Sequence, residues 1–285
     1  MELFAFSEDE ALAIAARRGT PCFAYRLDLA AAGFRKLASA LPRRVILAYA
    51  VKANPASELL SLFAGMGAWF DCASDGELER VRAAGVPGAR VLFAGPGKTR
   101  AELELALAMG ARVEVDGLED LELIDSLLST DRAAAEAPRP LPVSVRVHPT
   151  AGVAESSRII GGTGPSAFGV DEEALPGFLA EARRFARIRV AGLQLFAASN
   201  ERDYSRLLRN HGTALSIAER MQRDHGLALD LIDLGGGLGI PYAQDEAELE
   251  VGAFGRGLGR LLEDNPWFTG ALVVEPGRWL AGPCG

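Results

Sequence analysis

Lysine is scarce in this chain, and one lysine stands where an amine could do covalent chemistry. Of the 30 basic residues only three are lysines, namely Lys36, Lys52 and Lys98. Lys52 closes the apolar run AYAVKANP, so it either extends to water or is held, partly desolvated, as an amine ready to form an imine. Lys98, in GPGKT, is predicted to be a solvated loop charge, because the loop lacks the spacing of a nucleotide-binding motif.

Two further motifs carry groups that could bind an anion or a cation. Gly235-Gly236-Gly237 either forms a tight turn or presents consecutive backbone N–H groups to an anion, and Arg278 could hold the same phosphate with two hydrogen bonds. Glu275, three residues before Arg278, is costly to bury without a positive partner, which a protonated pyridine nitrogen or a barrel arginine would supply. Asp71 could pair with a cationic imine or with an arginine.

Eight apolar runs alternate with segments of helical periodicity, and this alternation predicts a parallel (β/α)8 barrel. The predicted strands are Val45–Val51, Ala68–Ala73, Arg90–Ala94, Ala111–Val115, Pro142–Val147, Arg189–Phe196, Leu229–Leu234 and Ala271–Val274. The predicted helices are Ser57–Met66, Asp75–Ala84, Arg100–Met109, Leu118–Leu128, Glu172–Ala186, Tyr204–Asp224 and Val251–Asp264. We expect the barrel domain at residues 41–285, after an N-terminal segment at 1–40 that holds a strand, Cys22–Arg26, and a helix.

The candidate residues come at the carboxyl ends of these strands, where barrel enzymes place their chemistry. Lys52 ends strand 1, Asp71 lies at the end of strand 2, and Arg146 lies on strand 5. The remaining candidates are Ser199 after strand 6, Gly235, Gly236 and Gly237 after strand 7, and Glu275 and Arg278 after strand 8. Their convergence on one rim is stronger evidence than any single motif. Residues 161–168 (GGTGPSAF) are predicted to form a mobile loop, and residues 130–140 a loose connection.

Composition argues against several other classes of protein. A hydrophobic content of 49% with 24% charged residues is typical of a soluble globular protein, and the apolar runs are too short to span a membrane. The net charge of −8 argues against nucleic acid as a partner. The first ten residues lack the basic region and apolar stretch of a secretory signal, so we expect the cytoplasm as the location.

Cysteine and histidine are too few and too scattered for a disulfide framework or a metal site. The three cysteines are Cys22, Cys72 and Cys284, and the first two are predicted to be small buried side chains. The three histidines are His148, His211 and His225, with no paired spacing. We therefore expect no metal site.

Five motifs together resemble one known family over residues 20–285. AYAVKANP, FDCASDGEL, GGTGPSAFG, IDLGGGLGIPY and VVEPGR, in this order, closely resemble the group IV, fold type III decarboxylases that use pyridoxal 5′-phosphate (PLP). These enzymes act on ornithine, diaminopimelate or arginine and have an alanine-racemase-like barrel. GGGLGIPY is nearer the diaminopimelate branch, so the resemblance implies decarboxylation of a small amino acid.

The resemblance also implies a role for each candidate residue. Lys52 would carry PLP, Glu275 would keep the pyridine nitrogen protonated, and Asp71 would lie near the imine. Arg146 would belong to the hydrogen-bond network beneath the ring, and Phe196 stands at the ring-stacking position, where the family usually has histidine. The phosphate would be bound by Ser199, Gly235, Gly236, Gly237 and Arg278. Gln194 replaces another frequent histidine of the family.

Members of the family continue past EPGR into a β-rich domain, which supplies residues to the partner subunit of a homodimer. This chain stops at Gly285, so we expect a fragment of a longer enzyme that does not turn over substrate alone. Two alternatives remain on the same barrel. An amino-acid racemase would place an arginine at the pyridine nitrogen, which Glu275 argues against, and a non-catalytic PLP-binding barrel would lack the GGG and EPGR combination.

Overall fold

Eight parallel strands form a closed ring at the centre of the molecule. The computed structural model describes residues 5–130, 139–150 and 167–285. The ring contains β1 (Val45–Ala50), β2 (Trp69–Cys72), β3 (Val91–Phe93), β4 (Arg112–Val115), β5 (Leu141–His148), β7 (Ile188–Gln194), β8 (Leu231–Asp233) and β9 (Ala271–Val274). β9 pairs with β1 and β4 pairs with β5, so the sheet closes. A short extra strand, β6 (Val170–Asp171), pairs with the carboxyl end of β5. The predicted (β/α)8 barrel is confirmed.

Helices follow the strands and cover the outside of the ring. They are α1 (Glu8–Arg18), α2 (Leu27–Ala40), α3 (Ser57–Gly65), α4 (Asp75–Ala83), α5 (Arg100–Met109), α6 (Leu118–Thr130), α7 (Leu175–Ala182), α8 (Tyr204–His225), α9 (Val251–Glu263) and α10 (Arg278–Ala281). All seven predicted helices are present. The largest difference is in α7, which begins at Leu175 because Pro176 fits only the first turn of a helix. In the described part of the chain, no helix is long and apolar enough to cross a membrane.

The inside of the ring has an apolar end and a charged end. Ala48, Leu92, Leu231 and Val273 form a small cluster of their own, separate from the large core between the sheet and the helices. Side chains two residues apart on a strand point to the same face, so the next inward positions towards the carboxyl ends include Asp71, Asp233 and Glu275. The apolar cluster therefore closes the bottom of the barrel and leaves a layer of polar side chains above it.

The predicted strand at Cys22–Arg26 is wrong. These residues pair with no strand of the described chain, and α2 follows them directly. The backbone is tied to the barrel by a hydrogen bond from the N–H of Arg26 to the carbonyl of Cys284, at 2.7 Å. The described residues offer no neighbouring strand, and an extended segment needs a partner's ladder of hydrogen bonds to become a strand. Cys22, predicted to be buried, is exposed, whereas Cys72 is buried as expected.

Two segments singled out in the sequence lie largely outside the described residues. Of the connection at 130–140, only residues 130, 139 and 140 are described, and of the motif at 161–168 only Ala167 and Phe168 are.

Candidate active site

A cavity of about 800 Å³ opens at the carboxyl ends of the barrel strands. A volume of this size is typical of a site for a small molecule or cofactor. Six of the candidate residues line it, namely Lys52, Phe196, Ser199, Gly237, Glu275 and Arg278. Asp71 contacts Lys52 beside the cavity. Thus residues from five different strand ends come together at one mouth.

Lys52 and Asp71 form an ion pair at this mouth. Lys52 lies in a single turn of 3₁₀ helix, Val51–Ala53, and its Nζ donates to Oδ2 of Asp71 at 2.5 Å. Asp71 is buried, and its Oδ1 has no hydrogen-bond partner. Burial alone would lower the pKa of Lys52, but the negative charges of Asp71 and then Glu275 outweigh burial and raise that pKa. The amine is held as an ammonium, with a carboxylate beside it that can take up its proton.

Glu275 is a buried acid at the end of β9. It is 3% exposed, and its Oε1 accepts a hydrogen bond from Nε2 of Gln194 at 3.3 Å. Burial, and after it the charge of Asp71, raise the pKa of Glu275 to about 7, although Lys52 and Arg146 act in the opposite direction. A carboxyl group of this kind can either hold or release a proton near neutral pH.

Two more acids lie next to Glu275, and the sequence reasoning missed the role of both. One carboxylate oxygen of each of Glu114, Asp233 and Glu275 lies within 4.8 Å of the other two, and all three side chains are buried. Burial, followed by the charge of Glu275, raises the pKa of Glu114 and of Asp233 well above its usual value. The sequence does contain a signal for Glu114. In β4 (RVEV), Arg112 and Glu114 alternate with two valines, so both charged side chains point to the same face of the strand.

Arg146 lies close to two aromatic rings, one of which, Phe196, lines the cavity. It is 9% exposed and comes from the carboxyl half of β5. Its guanidinium carbon is 4.8 Å from the centroid of the Phe168 ring and 6.0 Å from that of Phe196. Both distances fall in the range of cation–π attraction. Arg146 therefore adds a positive charge next to a cavity that Lys52 and Arg278 line.

The comparison with known families decides what this barrel is. The pyridoxal-binding domain of the pyridoxal-dependent decarboxylases matches residues 28–282. The chain belongs to this family. Its predicted cofactor, pyridoxal phosphate, is the one the family model names.

Relatives and solved structures of this decarboxylase family agree with the fold. The chain is 33% identical over 283 residues to diaminopimelate decarboxylase of Pseudomonas aeruginosa, covering 98% of this chain and 66% of the relative. It is 32% identical over 269 residues to the Neisseria meningitidis serogroup B diaminopimelate decarboxylase, covering 94% and 62%. The Vibrio vulnificus lysine/ornithine decarboxylase complexed with putrescine matches with a TM-score of 0.76 and 26% identity, covering 96% of this chain and 69% of that one. The chain spans between 62% and 66% of the length of the first curated relatives it matches.

The glycine loop after β8 fits the phosphate of such a cofactor. Within the described residues, the N–H groups of Gly236 and Gly237 donate to no protein acceptor, whereas that of Gly235 donates to Oδ1 of Asp233 at 2.8 Å. Gly237 and Arg278 both line the cavity. Arg278 also donates to the hydroxyl of Tyr242 and lies over its ring. Free backbone donors beside an arginine are the groups that bind a phosphate.

The predicted environment of Lys98 in this decarboxylase domain is wrong. Its side chain is 1% exposed, and its Nζ lies 2.7 Å from Oδ2 of Asp116 and 2.9 Å from Oδ2 of Asp120. A lysine can be buried when its charge is paired in this way. Asp116 and Asp120 come from the end of β4 and from α6, a proximity that the local sequence around Lys98 does not reveal. Lys98 therefore fixes the loop after β3 to its neighbours.

Proposed function

We propose that this chain is the cofactor-binding part of an amino-acid decarboxylase that uses PLP and is close to the diaminopimelate branch. The observation that carries the proposal is the joint position of an amine and a buried acid at one barrel mouth. Lys52 lies against Asp71, and the charge of Glu275 acts directly on that lysine. The names of the two diaminopimelate decarboxylases described above support the branch.

Lys52 is the amine that would hold the cofactor covalently. An ammonium is not nucleophilic, so Lys52 must first lose a proton, and the ion pair with Oδ2 of Asp71 at 2.5 Å makes that loss less favourable. Once the cofactor is released from Lys52, the same carboxylate would again stabilise the ammonium form of that lysine. Asp71 would therefore set how readily Nζ gains and loses its proton.

Glu275 holds a proton on the ring nitrogen of the cofactor. Bound pyridoxal phosphate supplies the electron sink that allows the bond from Cα to the carboxylate to break with loss of carbon dioxide. As a carboxylate, Glu275 stabilises a positive charge on that nitrogen, and its burial makes the interaction stronger than it would be in water. Gln194 orients the carboxylate through its amide N–H.

The remaining candidate residues would bind the phosphate of the cofactor and orient its ring. The free N–H groups of Gly236 and Gly237, the hydroxyl of Ser199 and the guanidinium of Arg278 would hold the phosphate, and Gly235 would shape the loop that presents them. Phe196, which lines the cavity, would stack on the ring and exclude water from it, and Arg146 would support the hydrogen-bond network beneath. The proposal includes a domain boundary between residues 40 and 41 and a homodimer for the complete protein. It also includes a small amino acid such as diaminopimelate as the substrate.

The covalent link to Lys52 is the direct test of this proposal. The purified chain is incubated with PLP, reduced with borohydride and mapped by peptide mass spectrometry. We expect the label on Lys52 and its loss in Lys52→Ala. Lys36→Ala is the matched control, because this lysine is an exposed surface residue and its removal should leave labelling unchanged.

Two results would contradict the proposal. Label on Lys36 or Lys98 in place of Lys52 would remove Lys52 from its role. Racemised amino acid without release of carbon dioxide, from a panel of diaminopimelate, lysine, ornithine and arginine, would identify a racemase instead. The expectation that these 285 residues alone release no carbon dioxide stays a prediction, and the same assay checks it.

A further inference from the structure

Glu114 is a buried acid to which the proposed function gives no role. It is fully buried, and neither of its two carboxylate oxygens has a hydrogen-bond partner. One oxygen of Asp233 lacks a partner as well, although the other accepts from the N–H of Gly235. Leaving such groups without hydrogen-bond partners in a protein interior is costly. The cluster of Glu114, Asp233 and Glu275 therefore needs a proton or a cation between its oxygens.

The charges around the cluster show what is missing. The titratable and charged groups that face it are Asp71, Arg146, Lys98 and Lys52. Lys98 is already paired with Asp116 and Asp120. The four acids Glu114, Asp233, Glu275 and Asp71 are left with two cations, Lys52 and Arg146. Two negative charges would stay unbalanced if every acid were ionised, and a buried unbalanced carboxylate takes up a proton.

A proton fits the cluster better than a metal ion does. Calcium takes six to eight oxygen ligands and magnesium six, whereas the described residues offer three carboxylates and the unpartnered Oε1 of Gln194. The guanidinium of Arg146 also acts on two of these acids, and its positive charge opposes a second cation nearby. Carboxyl groups less than 5 Å apart can share a proton after a small side-chain rotation, as paired acids do in other enzymes.

We propose that Glu114 is a positioning residue which, as a neutral carboxylic acid, donates a hydrogen bond within the cluster and so keeps Glu275 ionised for the ring nitrogen of the cofactor. This inference rests on the proposed function. Burial, and after it the charge of Glu275, raise the pKa of Glu114, which favours its protonated form. A hydrogen bond donated to a carboxylate favours its charged form and so counteracts the burial that raises the pKa of Glu275.

The first experiment detects the proton without any cofactor. Infrared difference spectra of the full chain are recorded at neutral pH for wild type against Glu114→Gln, which has nearly the same shape and is always neutral. We expect the carbonyl band of a protonated carboxylic acid in wild type and its loss in the variant, with circular dichroism unchanged. A band for an ionised carboxylate alone would overturn the inference. So would loss of the protonated band on adding magnesium or calcium chloride, because a cation would then occupy the cluster.

The second experiment measures the effect on the cofactor. The chain is loaded with pyridoxal phosphate that carries ¹⁵N in its ring, and NMR follows the protonation of that nitrogen with pH. We expect Glu114→Gln to behave like wild type, because its amide N–H can still donate. Glu114→Leu removes the hydrogen-bond donor, so Glu275 should take the proton from the ring nitrogen. The pH midpoint for protonation of the ring nitrogen should then fall by about one to two pH units.

The outcomes separate the inference from the proposed function. A purely structural role for Glu114 would lower the melting temperature of Glu114→Leu without moving the midpoint, and that result would overturn the inference while leaving the proposed function intact. Absence of label on Lys52 after borohydride reduction would instead count against the proposed function. If Glu114→Leu does not fold, the infrared comparison with Glu114→Gln still decides whether Glu114 carries the proton.

Discussion

An ammonium in contact with a carboxylate sets the reactivity of Lys52. Amines attack aldehydes only in their neutral form, and Asp71 stabilises the charged form at a distance of 2.5 Å. The ion pair therefore keeps most of the Lys52 side chains protonated and unreactive at neutral pH.

Replacing Asp71 should therefore speed the attachment of the cofactor at neutral pH. Asp71→Asn removes the negative charge that raises the pKa of Lys52, while burial, which lowers that pKa, remains. A drop of one unit makes the neutral amine tenfold more abundant, so we expect the rate at neutral pH to rise by about tenfold or more. Stopped-flow absorbance at a series of pH values measures this rate.

The control for this prediction is Asp75→Asn, four residues away at the exposed start of α4. It should leave the pH dependence of the rate unchanged. A rate profile for Asp71→Asn that superimposes on wild type would show that the ion pair does not control the amine.

At the scale of elements, the loop after β8 has a structural requirement beside its proposed role at the phosphate. Gly235 has a φ of +71°, and a Cβ on it would lie 2.5 Å from the carbonyl oxygen of Leu195. A Cβ on Gly236 would lie 2.6 Å from the carbonyl of Glu275. The strand ends on both sides approach the loop backbone too closely for any side chain. These glycines therefore place the loop between β7 and β9, where Glu275 is held.

Gly235→Ala tests this packing requirement, with Gly97→Ala as a matched control. Gly97 has nearly the same φ, +70°, but a Cβ on it would meet no atom within 4 Å. Both variants lose about 1 kcal/mol to the left-handed backbone conformation. Gly235→Ala adds a steric cost of about 1 to 3 kcal/mol. We expect its melting temperature to fall several degrees further than that of Gly97→Ala, and equal melting temperatures would show that the loop can move aside.

Most elements of the barrel were predictable because periodicity distinguishes them locally. Buried parallel strands appear as short apolar runs, and the segments between them have helical spacing. β6 was missed because two residues carry no periodic signal. The error at Cys22–Arg26 arose because its aromatic residues, Phe23 and Tyr25, give strand propensity, whereas a strand also needs a neighbouring strand to pair with.

The site was only partly predictable, since it depends on contacts between distant segments. Lys52 and Glu275 stand at strand ends, which the order of elements reveals. The burial of Lys98 depends on two acids that are 18 and 22 residues away. The cluster around Glu114 forms because Glu114 faces the barrel axis, where β8 and β9 bring Asp233 and Glu275 close to it. The sequence pattern of β4 alone does not reveal these contacts.

At the scale of the whole molecule, exposed apolar side chains concentrate around the mouth of the cavity. Five large hydrophobic residues are exposed in the described part of the chain, namely Leu12, Phe23, Tyr25, Leu27 and Tyr242. Phe23, Tyr25 and Tyr242 line the cavity, and Leu27 follows the same N-terminal segment. Phe23 is 91% exposed. Grouped apolar side chains of this kind mark a contact surface, while scattered ones do not.

We predict that the chain associates with itself and that this mouth is the contact surface. Burying one phenylalanine contributes about 1.5 to 3 kcal/mol, so Phe23→Ser should raise the concentration of half-association by about tenfold or more. Leu12→Ser is the matched control, because Leu12 is 61% exposed on α1 and does not line the cavity. Sedimentation velocity over a range of concentrations measures the association, and borohydride labelling of Lys52 verifies that the mouth still binds the cofactor. If the two serine variants weaken association equally, the contact lies elsewhere on the surface, and the apolar residues at the mouth serve only the cavity.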